Sequence, residues 1–267
     1  MVKAVVMGAS GKMGGRIISL IDASEGIEIA GAVEIKEHPK IGKDIGDILG
    51  LGKKGILIGE DLQGCIDMAD VVIDFTHHEY AYDHLKIASK NKKAMVMGTT
   101  GIGAEMMQHI RELARSSKLV LAPNMSVGVN VMFKLLETAA TILKDEYDVE
   151  IVEAHHNLKK DAPSGTAIKM AEVIANALGR DLNRVGIYER KGMIGARSKA
   201  EIGIQTVRAG DIVGEHTVIF GGIGERLELI HRAHSRDNFA KGAIRAAMWI
   251  VNQPNGFYDM QDVLGLK

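Results

Sequence analysis

Between Glu153 and Thr166 the chain reads Glu153-Ala154-His155-His156-Asn157-Leu158-Lys159-Lys160-Asp161-Ala162-Pro163-Ser164-Gly165-Thr166. Two imidazoles and a lysine lie beside a Ser-Gly-Thr turn that opens a predicted helix. Imidazole exchanges protons near neutral pH. The lysine adds positive charge, and the N–H groups and hydroxyls at a helix start suit a carboxylate. Pro163 fixes the entry to the turn, and Asp161 is expected to shape the loop rather than enter the chemistry. This equipment would grip a small dianion and hand it a proton. Metal binding fits the segment poorly. Adjacent His155 and His156 at a strand end point to opposite faces, and no H-E-x-x-H or Cys/His spacing accompanies them. No metal is therefore expected. Exposed or locally bonded histidines would be the default for an isolated His, but that reading leaves Lys159, Ser164, Gly165 and Thr166 unexplained.

A second signature lies near the start, at Gly8-Ala9-Ser10-Gly11-Lys12-Met13-Gly14. Its G-x-x-G-x-x-G spacing is a variant of the G-x-G-x-x-G dinucleotide fingerprint. Glycines let the backbone turn sharply and approach a pyrophosphate, and the following helix offers unpaired N–H groups. Glu34 follows about 20 residues on, at the end of the second predicted strand, where a carboxylate bonds the adenosine ribose. Its charge would repel a 2′-phosphate and argues for NADH. Lys12, Lys36 and Lys40 could offset that repulsion, so NADH, NADPH or both are expected. Gly98-Thr99-Thr100-Gly101 and Ala122-Pro123-Asn124-Met125 each close a predicted strand. Both are placed to contact a nicotinamide, although either tetrapeptide alone could be an ordinary turn.

The elements that must carry these residues follow from periodicity. Nearly continuous apolar runs at Val2–Met7, Ile27–Val33, Val71–Phe75, Ala94–Met97 and Leu119–Ala122 read as strands buried on both faces. Helical stretches separate them: one after Gly14 with Ile17, Ile18, Leu20 and Ile21, then Tyr80–Lys90 and Ala104–Arg115. That alternation predicts βαβ units and a parallel sheet. Past Pro123 the character changes. A long helix, Val127–Leu143, is expected to turn Val131, Leu135, Thr138 and Ile142 to one side. Val149–Ala154 then runs into the histidine pair, and Gly165–Leu178 is helical. Ile202–Arg208, Glu215–Phe220 and Arg226–Arg232 have period-two character and predict a mixed or antiparallel sheet. A last helix covers about Asn238–Val251. The fold class is α/β, with a Rossmann-like parallel-sheet cofactor domain at 1–126 and an α+β mixed-sheet substrate domain at 127–238.

Composition restricts the function classes. The 267 residues are 46% hydrophobic and 25% charged, with a formal net charge of −1. A nucleic-acid partner would call for a basic face and more than the 4% aromatics present, so none is expected. A membrane is not expected either, because the apolar start is short and no signal-peptide layout precedes it. The one cysteine, Cys65, fits a reducing, cytoplasmic setting.

In this order these residues resemble the dihydrodipicolinate (4-hydroxy-tetrahydrodipicolinate) reductase family. The E-x-H-H-x-x-K-x-D-x-P-S-G-T pattern is matched from Glu153 to Thr166. So are the glycine cradle, Gly98–Gly101, Pro123-Asn124 with Ser126-Val127-Gly128, the run from Arg208 to His216, and Ser235-Arg236 through Phe239-Ala240 to Gly242-Ala243. The resemblance spans essentially the whole chain. It implies hydride transfer from NADH or NADPH to a small cyclic dicarboxylate, in the diaminopimelate route of lysine biosynthesis. It implies that the C-terminal segment, 239–267, completes the cofactor domain and that the mixed sheet assembles a homotetramer. His155 would be the proton donor/acceptor and Lys159 a proton donor. Substrate carboxylate would be held by His156, Gly165 and Thr166, with Ser164 beside them. The cofactor would lie on Gly8, Ala9, Ser10, Gly11, Lys12, Met13 and Glu34, and on Gly98, Thr99, Thr100, Ala122, Pro123, Asn124 and Met125. Met125 stands where the family often has Phe, and Ile35 where some members carry Arg. His234 and Asp237 also depart from the commoner small or apolar residues.

Two other functions are compatible with parts of the pattern. A dehydrogenase of another small carboxylate or sugar would share the fold without needing the His–Lys cluster. A non-catalytic NAD sensor would keep Gly8–Gly14 and have no use for His155 and Lys159.

Overall fold

The five apolar runs read as strands all become strands, and the structure, a computed structural model, describes residues 1–267. Along the chain come β1 (Val2–Met7), α1 (Lys12–Asp22), β2 (Ile27–Val33), α2 (Ile45–Leu49), β3 (Ile58–Gly59) and β4 (Val71–Asp74). Next are α3 (His78–Lys90), β5 (Ala94–Met97), α4 (Ala104–Ala114), β6 (Lys118–Leu121) and α5 (Val127–Leu143). The second half holds β7 (Asp148–His155), α6 (Gly165–Ala177), α7 (Leu182–Val185), β8 (Gly186–Ile187), β9 (Ile202–Arg208), β10 (Gly214–Gly221) and β11 (Arg226–Ala233). The chain ends with α8 (Asp237–Ile250), β12 (Gly256–Tyr258) and α9 (Met260–Leu264). Two compact units result, one of Met1–Val127 with Asp237–Lys267, the other of Gly128–Arg236.

The first unit is a seven-stranded parallel sheet in the order β12-β6-β5-β4-β1-β2-β3. Strand order reverses between β1 and β4, the switch point where such sheets bind ligands at their carboxyl ends. Both faces are covered, which is why the strands are apolar throughout. Ala4 and Val6 pack with Ile17, Ile18 and Ile21 of α1 and with Ala243, Ile244 and Ala247 of α8. Val5 and Met7 pack on the other side with Ala81 and Leu85 of α3 and Ile110 of α4. Each of these isoleucines and leucines contributes about 1.5–3 kcal/mol on full burial. Helix α8 lies close to Met125 because position 242 is glycine. A Cβ there would overlap the Met125 carbonyl.

The second unit is a five-stranded mixed sheet, β11-β10-β7-β9-β8, with β7 central. β7 is antiparallel to β10 and parallel to β9. Period-two alternation gives the sheet two distinct faces. On one, Val149 and Ile151 of β7, Ile202 and Ile204 of β9, and Val218 and Phe220 of β10 form a core with Ala167, Met170 and Ile174 of α6 and Met132 and Leu136 of α5. The opposite face carries Val152, Thr217, Val207 and Ile230, the last two exposed, while Arg190 and Arg197 lie on its Glu150.

The expected apolar side of α5 is corrected. Val131, Leu135 and Ile142 are exposed, Ile142 at 71%, while Met132, Leu136 and Ala140 are buried. The helix is apolar on more than one side, so two stripes at i, i+4 spacing compete. Of the two, the stripe with Met132, Leu136 and Ala140 packs into the sheet core.

Candidate active site

The inward face of β7 reads Val149, Ile151, Glu153, His155, so the strand that builds the core also delivers two polar groups beyond it. Glu153 is fully buried. Its Oε2 accepts from Arg208 Nη1 at 2.8 Å and lies 2.6 Å from His155 Nδ1. Its Oε1 accepts from Arg208 Nη2 and the Ser164 backbone N–H, both at 2.9 Å. The bonds follow from register: His155 pairs with Arg208 on β9, and Glu153 with His216 on β10. Burial alone would raise the Glu153 carboxyl. The His155, Arg208 and Ser164 bonds outweigh that and pull it to about 2 from 4.5, so it is ionised at neutral pH.

Arg208 also reaches the loop that follows, donating through Nη2 to the Asp161 carbonyl at 2.7 Å. In that loop Lys159 Nζ donates to both carboxylate oxygens of Asp161 at 2.9 Å, and this pairing lowers the Asp161 carboxyl. The loop enters α6 at Ser164, whose hydroxyl accepts from Ala167 N–H and caps the helix. Ser164 Oγ also lies 3.1 Å from His216 Nε2. Burial first, and then the neighbouring His155, depress His216 to about 3 from 6.5. A Cβ at Gly165 would meet nothing within 4 Å, so the first residue of α6 has open space on its Cβ side.

Of the residues expected at the substrate, His155 and Ser164 bond Glu153 directly and Lys159 is linked to it through Asp161 and Arg208, while Gly165 follows Ser164 at the start of α6. His156 follows the end of β7, partly exposed, and Thr166 occupies the first turn of α6. The His155 and His216 rings meet edge to face with centroids 5.3 Å apart, and His231 lies beyond His216 at 6.5 Å.

In the first unit, β1 ends at Gly8, which adopts φ +60. Gly11 N–H donates back to the Gly8 carbonyl at 3.0 Å and closes the turn. A Cβ at Gly14 would collide with that carbonyl. Helix α1 starts with Gly11 as its cap, without a side-chain bond and without an acid in its first turn, an arrangement suited to a bound anion. Lys12 and Met13 open that helix, and Ala9 is buried with its N–H on Val33 O. Ser10 donates to Glu34 Oε1 through N–H at 2.7 Å and Oγ at 2.8 Å. Gly8 comes within 3.3 Å, measured from an ideal Cβ, of Thr76 beyond β4.

Thr99 donates to Thr76 O at 3.0 Å, and a Cβ at Gly98 would overlap the Phe75 ring. Thr100 is exposed beside it. Ala122 bonds Met97 O, Asn124 Oδ1 accepts from Ser126 N–H, and Met125 is 1% exposed within the core. Pro123 is exposed between them. The cradle fits a dinucleotide: its glycines sit where side chains would fill the turn.

Family models described as dihydrodipicolinate reductase, N-terminus, and dihydrodipicolinate reductase, C-terminus, match residues 2–125 and 128–264. The chain belongs to the dihydrodipicolinate reductase family. The family's 4-hydroxy-tetrahydrodipicolinate reductases from Syntrophus aciditrophicus (strain SB) and Geotalea uraniireducens (strain Rf4) are 64% and 55% identical over 267 residues, covering all of each chain. A dipicolinate-bound dihydrodipicolinate reductase from Paenisporosarcina sp. TG-14 superposes with a TM-score of 0.78 at 26% identity, covering 98% of both chains. Membership in this family makes the chain an oxidoreductase with a nicotinamide cofactor. No helix is long and apolar enough to cross a membrane.

Sequence reasoning left several polar partners without a role. Glu153, Arg208 and His216 stood in quoted motifs, and the signal that marks them is β-strand parity with the core. Asp74, fully buried at the end of β4, accepts from Thr76 N–H and Oγ1 at 2.7 and 2.6 Å and lies 2.7 Å from His84 Nδ1. It holds the turn that carries Thr76. Asp237 pairs bidentately with Arg16 of α1, both bonds at 2.6 Å, which explains an acid at the start of α8.

Proposed function

We propose that this chain reduces 4-hydroxy-tetrahydrodipicolinate to tetrahydrodipicolinate with NADH or NADPH, in the diaminopimelate route of lysine biosynthesis. Full-length relatives carry that reductase name. The observation that supports the residue assignment is the Glu153-centred assembly, which gathers His155, Arg208 and the Ser164 turn through bonds of 2.6–2.9 Å.

When bound, the nicotinamide supplies the hydride. Gly8–Met13 hold its pyrophosphate, Glu34 the adenosine ribose, and Gly98–Thr100 with Ala122–Met125 the nicotinamide end. The Met125 side chain is committed to the core, so its contribution is through backbone. Glu34 favours NADH by repelling a 2′-phosphate.

Hydride addition builds negative charge on the substrate's conjugated carbon–nitrogen system. His155 and Lys159 stabilise that charge and deliver a proton, more strongly in the transition state than before it. A positioned acid of this kind is worth about 10²–10⁴-fold. His156, Gly165 and Thr166 take substrate carboxylate. Ser164, with its hydroxyl spent on Ala167 and His216, acts by fixing the turn.

The exposed apolar side chains on the sheet face opposite the core, Val207 at 42% and Ile230 at 47%, support homotetramer assembly through the second unit.

Incubation with NADH and freshly generated cyclic dicarboxylate tests the activity: absorbance at the reduced-nicotinamide band should fall. No loss, with cofactor binding intact, would return the chain to another dehydrogenase class. His155→Gln and Lys159→Ala should each remove most turnover and leave cofactor affinity nearly unchanged. Wild-type rates in both would exclude the assignment.

A further inference from the structure

We infer that Glu153 is a positioning residue that fixes the tautomer of His155 and the carboxylate-binding turn at once, so that proton donor and substrate anchor are set by one buried carboxylate. The inference rests on the proposed role of His155 and goes beyond it. Every lone pair of Glu153 faces a donor. Oε1 takes Ser164 N–H and Arg208 Nη2, with Thr206 Oγ1 at 3.3 Å. Oε2 takes Arg208 Nη1 and faces His155 Nδ1 at 2.6 Å. An ionised carboxylate only accepts, so Nδ1 must carry the proton whether the ring is neutral or charged. The other nitrogen, Nε2, is therefore the one that gains and loses a proton. Its edge is kept open by Gly214, where an ideal Cβ would sit 3.0 Å away. The depressed carboxyl of Glu153, about 2, keeps this arrangement intact across the working pH range.

The same carboxylate ties the ring to the helix start. Ser164 N–H is pulled toward Glu153 while Ser164 Oγ holds Ala167 N–H. Gly165 and Thr166, which follow directly, inherit that placement. Arg208 closes the loop by bonding Glu153 and the Asp161 carbonyl.

Glu153→Gln is the informative change because an amide NH2 cannot face these donors. One orientation sets it against Ser164 N–H and an Arg208 Nη, the other against an Arg208 Nη and the His155 Nδ1 proton. Relief comes only if His155 moves its proton to Nε2 or the turn shifts.

Neutron diffraction on the wild-type protein, above the pH at which the ring charges, should place the His155 deuteron on Nδ1. A deuteron on Nε2 overturns the inference without any variant. In Glu153→Gln, kcat should fall on the order of 10²-fold, the scale of a lost acid or base, and substrate KM should rise. NADH affinity should stay within about twofold, because the cradle lies in the other unit. Wild-type kcat and KM in Glu153→Gln, beside an inactive His155→Gln, would sink the positioning role while leaving His155 in place. An active His155→Gln would instead remove the reading beneath it. Should Glu153→Gln fail to fold, the neutron result on the wild type decides alone.

Discussion

Ser10 donates twice to one oxygen of Glu34, through its N–H at 2.7 Å and its hydroxyl at 2.8 Å. The glycine loop thus carries its own clamp on the carboxylate proposed to take the ribose, and so holds the Glu34 charge in place. Glu34→Gln removes the charge but keeps the size. The NADPH-to-NADH ratio of kcat/KM should rise about tenfold or more, the scale of one charge-assisted bond. Ser10→Ala should move the ratio the same way by less, since Glu34 retains the residue-10 backbone N–H at 2.7 Å and the Ile35 N–H at 3.3 Å. Parallel initial rates with both coenzymes decide this, and an unchanged ratio in Glu34→Gln would remove Glu34 from coenzyme selection.

The cradle makes a sharper structural prediction. A Cβ at Gly14 would overlap the Gly8 carbonyl, which is backbone and has no rotamer to yield. A Cβ at Gly11 would stand 3.1 Å from the same atom. Gly14→Ala should therefore open the turn and weaken NADH binding by at least about tenfold, with a clear fall in Tm. Gly11→Ala should do less on both counts. Fluorescence titration with NADH and a thermal melt of each variant give the order, and the reverse order would contradict the geometry.

Acid should destabilise the second unit before its carboxylates titrate. His216 is held down to about 3 by burial and by His155, against 6.5 when unfolded. Between these values the unfolded chain binds more protons than the folded one. Stability is therefore fully present above about pH 6.5 and is lost as pH falls toward 3. Glu153, at about 2 against 4.5, adds a second loss that begins only below about pH 4.5. Denaturant unfolding at pH 7, 6 and 5 should show a falling midpoint in the wild type. His216→Gln should be less stable at pH 7 and flatter across that range. A wild-type midpoint independent of pH from 7 to 5 would contradict a buried neutral His216.

Much of this was legible in the residues. Continuous apolar strands such as Ala94–Met97, closed by glycine or polar turns, announce a parallel sheet because both faces are covered. The Ser164-Gly165-Thr166 helix start was visible because a cap residue and glycine break the pattern there. What stayed hidden depends on contacts distant in sequence. The two-residue strand β3 and the three-residue β12 carry too little periodicity to register, and each exists only because a longer strand lies beside it. The buried side of α5 was misread because both stripes are apolar and only packing separates them. Glu153 read as one acid in a motif, yet its burial follows from sharing a strand face with Val149 and Ile151. Its partner Arg208 lies 55 residues away, a pairing that no local signal contains.

The Nε2 edge of His155 faces Gly214, the first residue of β10, and this offers a test that leaves every polar group in place. An ideal Cβ at position 214 would stand 3.0 Å from Nε2 and 3.4 Å from Cδ2 of the ring. The ring cannot simply rotate away, because Nδ1 is tied to Glu153 at 2.6 Å. One methyl group therefore sets the Glu153 bond against the room at Nε2. In Gly214→Ala the imidazole should shift by a few tenths of an ångström or lose its bond. A displacement of that order at a reacting atom costs up to about 10²-fold in rate. We expect kcat to fall at least about tenfold, with NADH affinity unchanged. Stopped-flow turnover with NADH in excess measures it, and a crystal structure of the variant shows where the ring has gone. Wild-type kcat with a displaced ring would mean that the Nε2 edge is not where the proton moves.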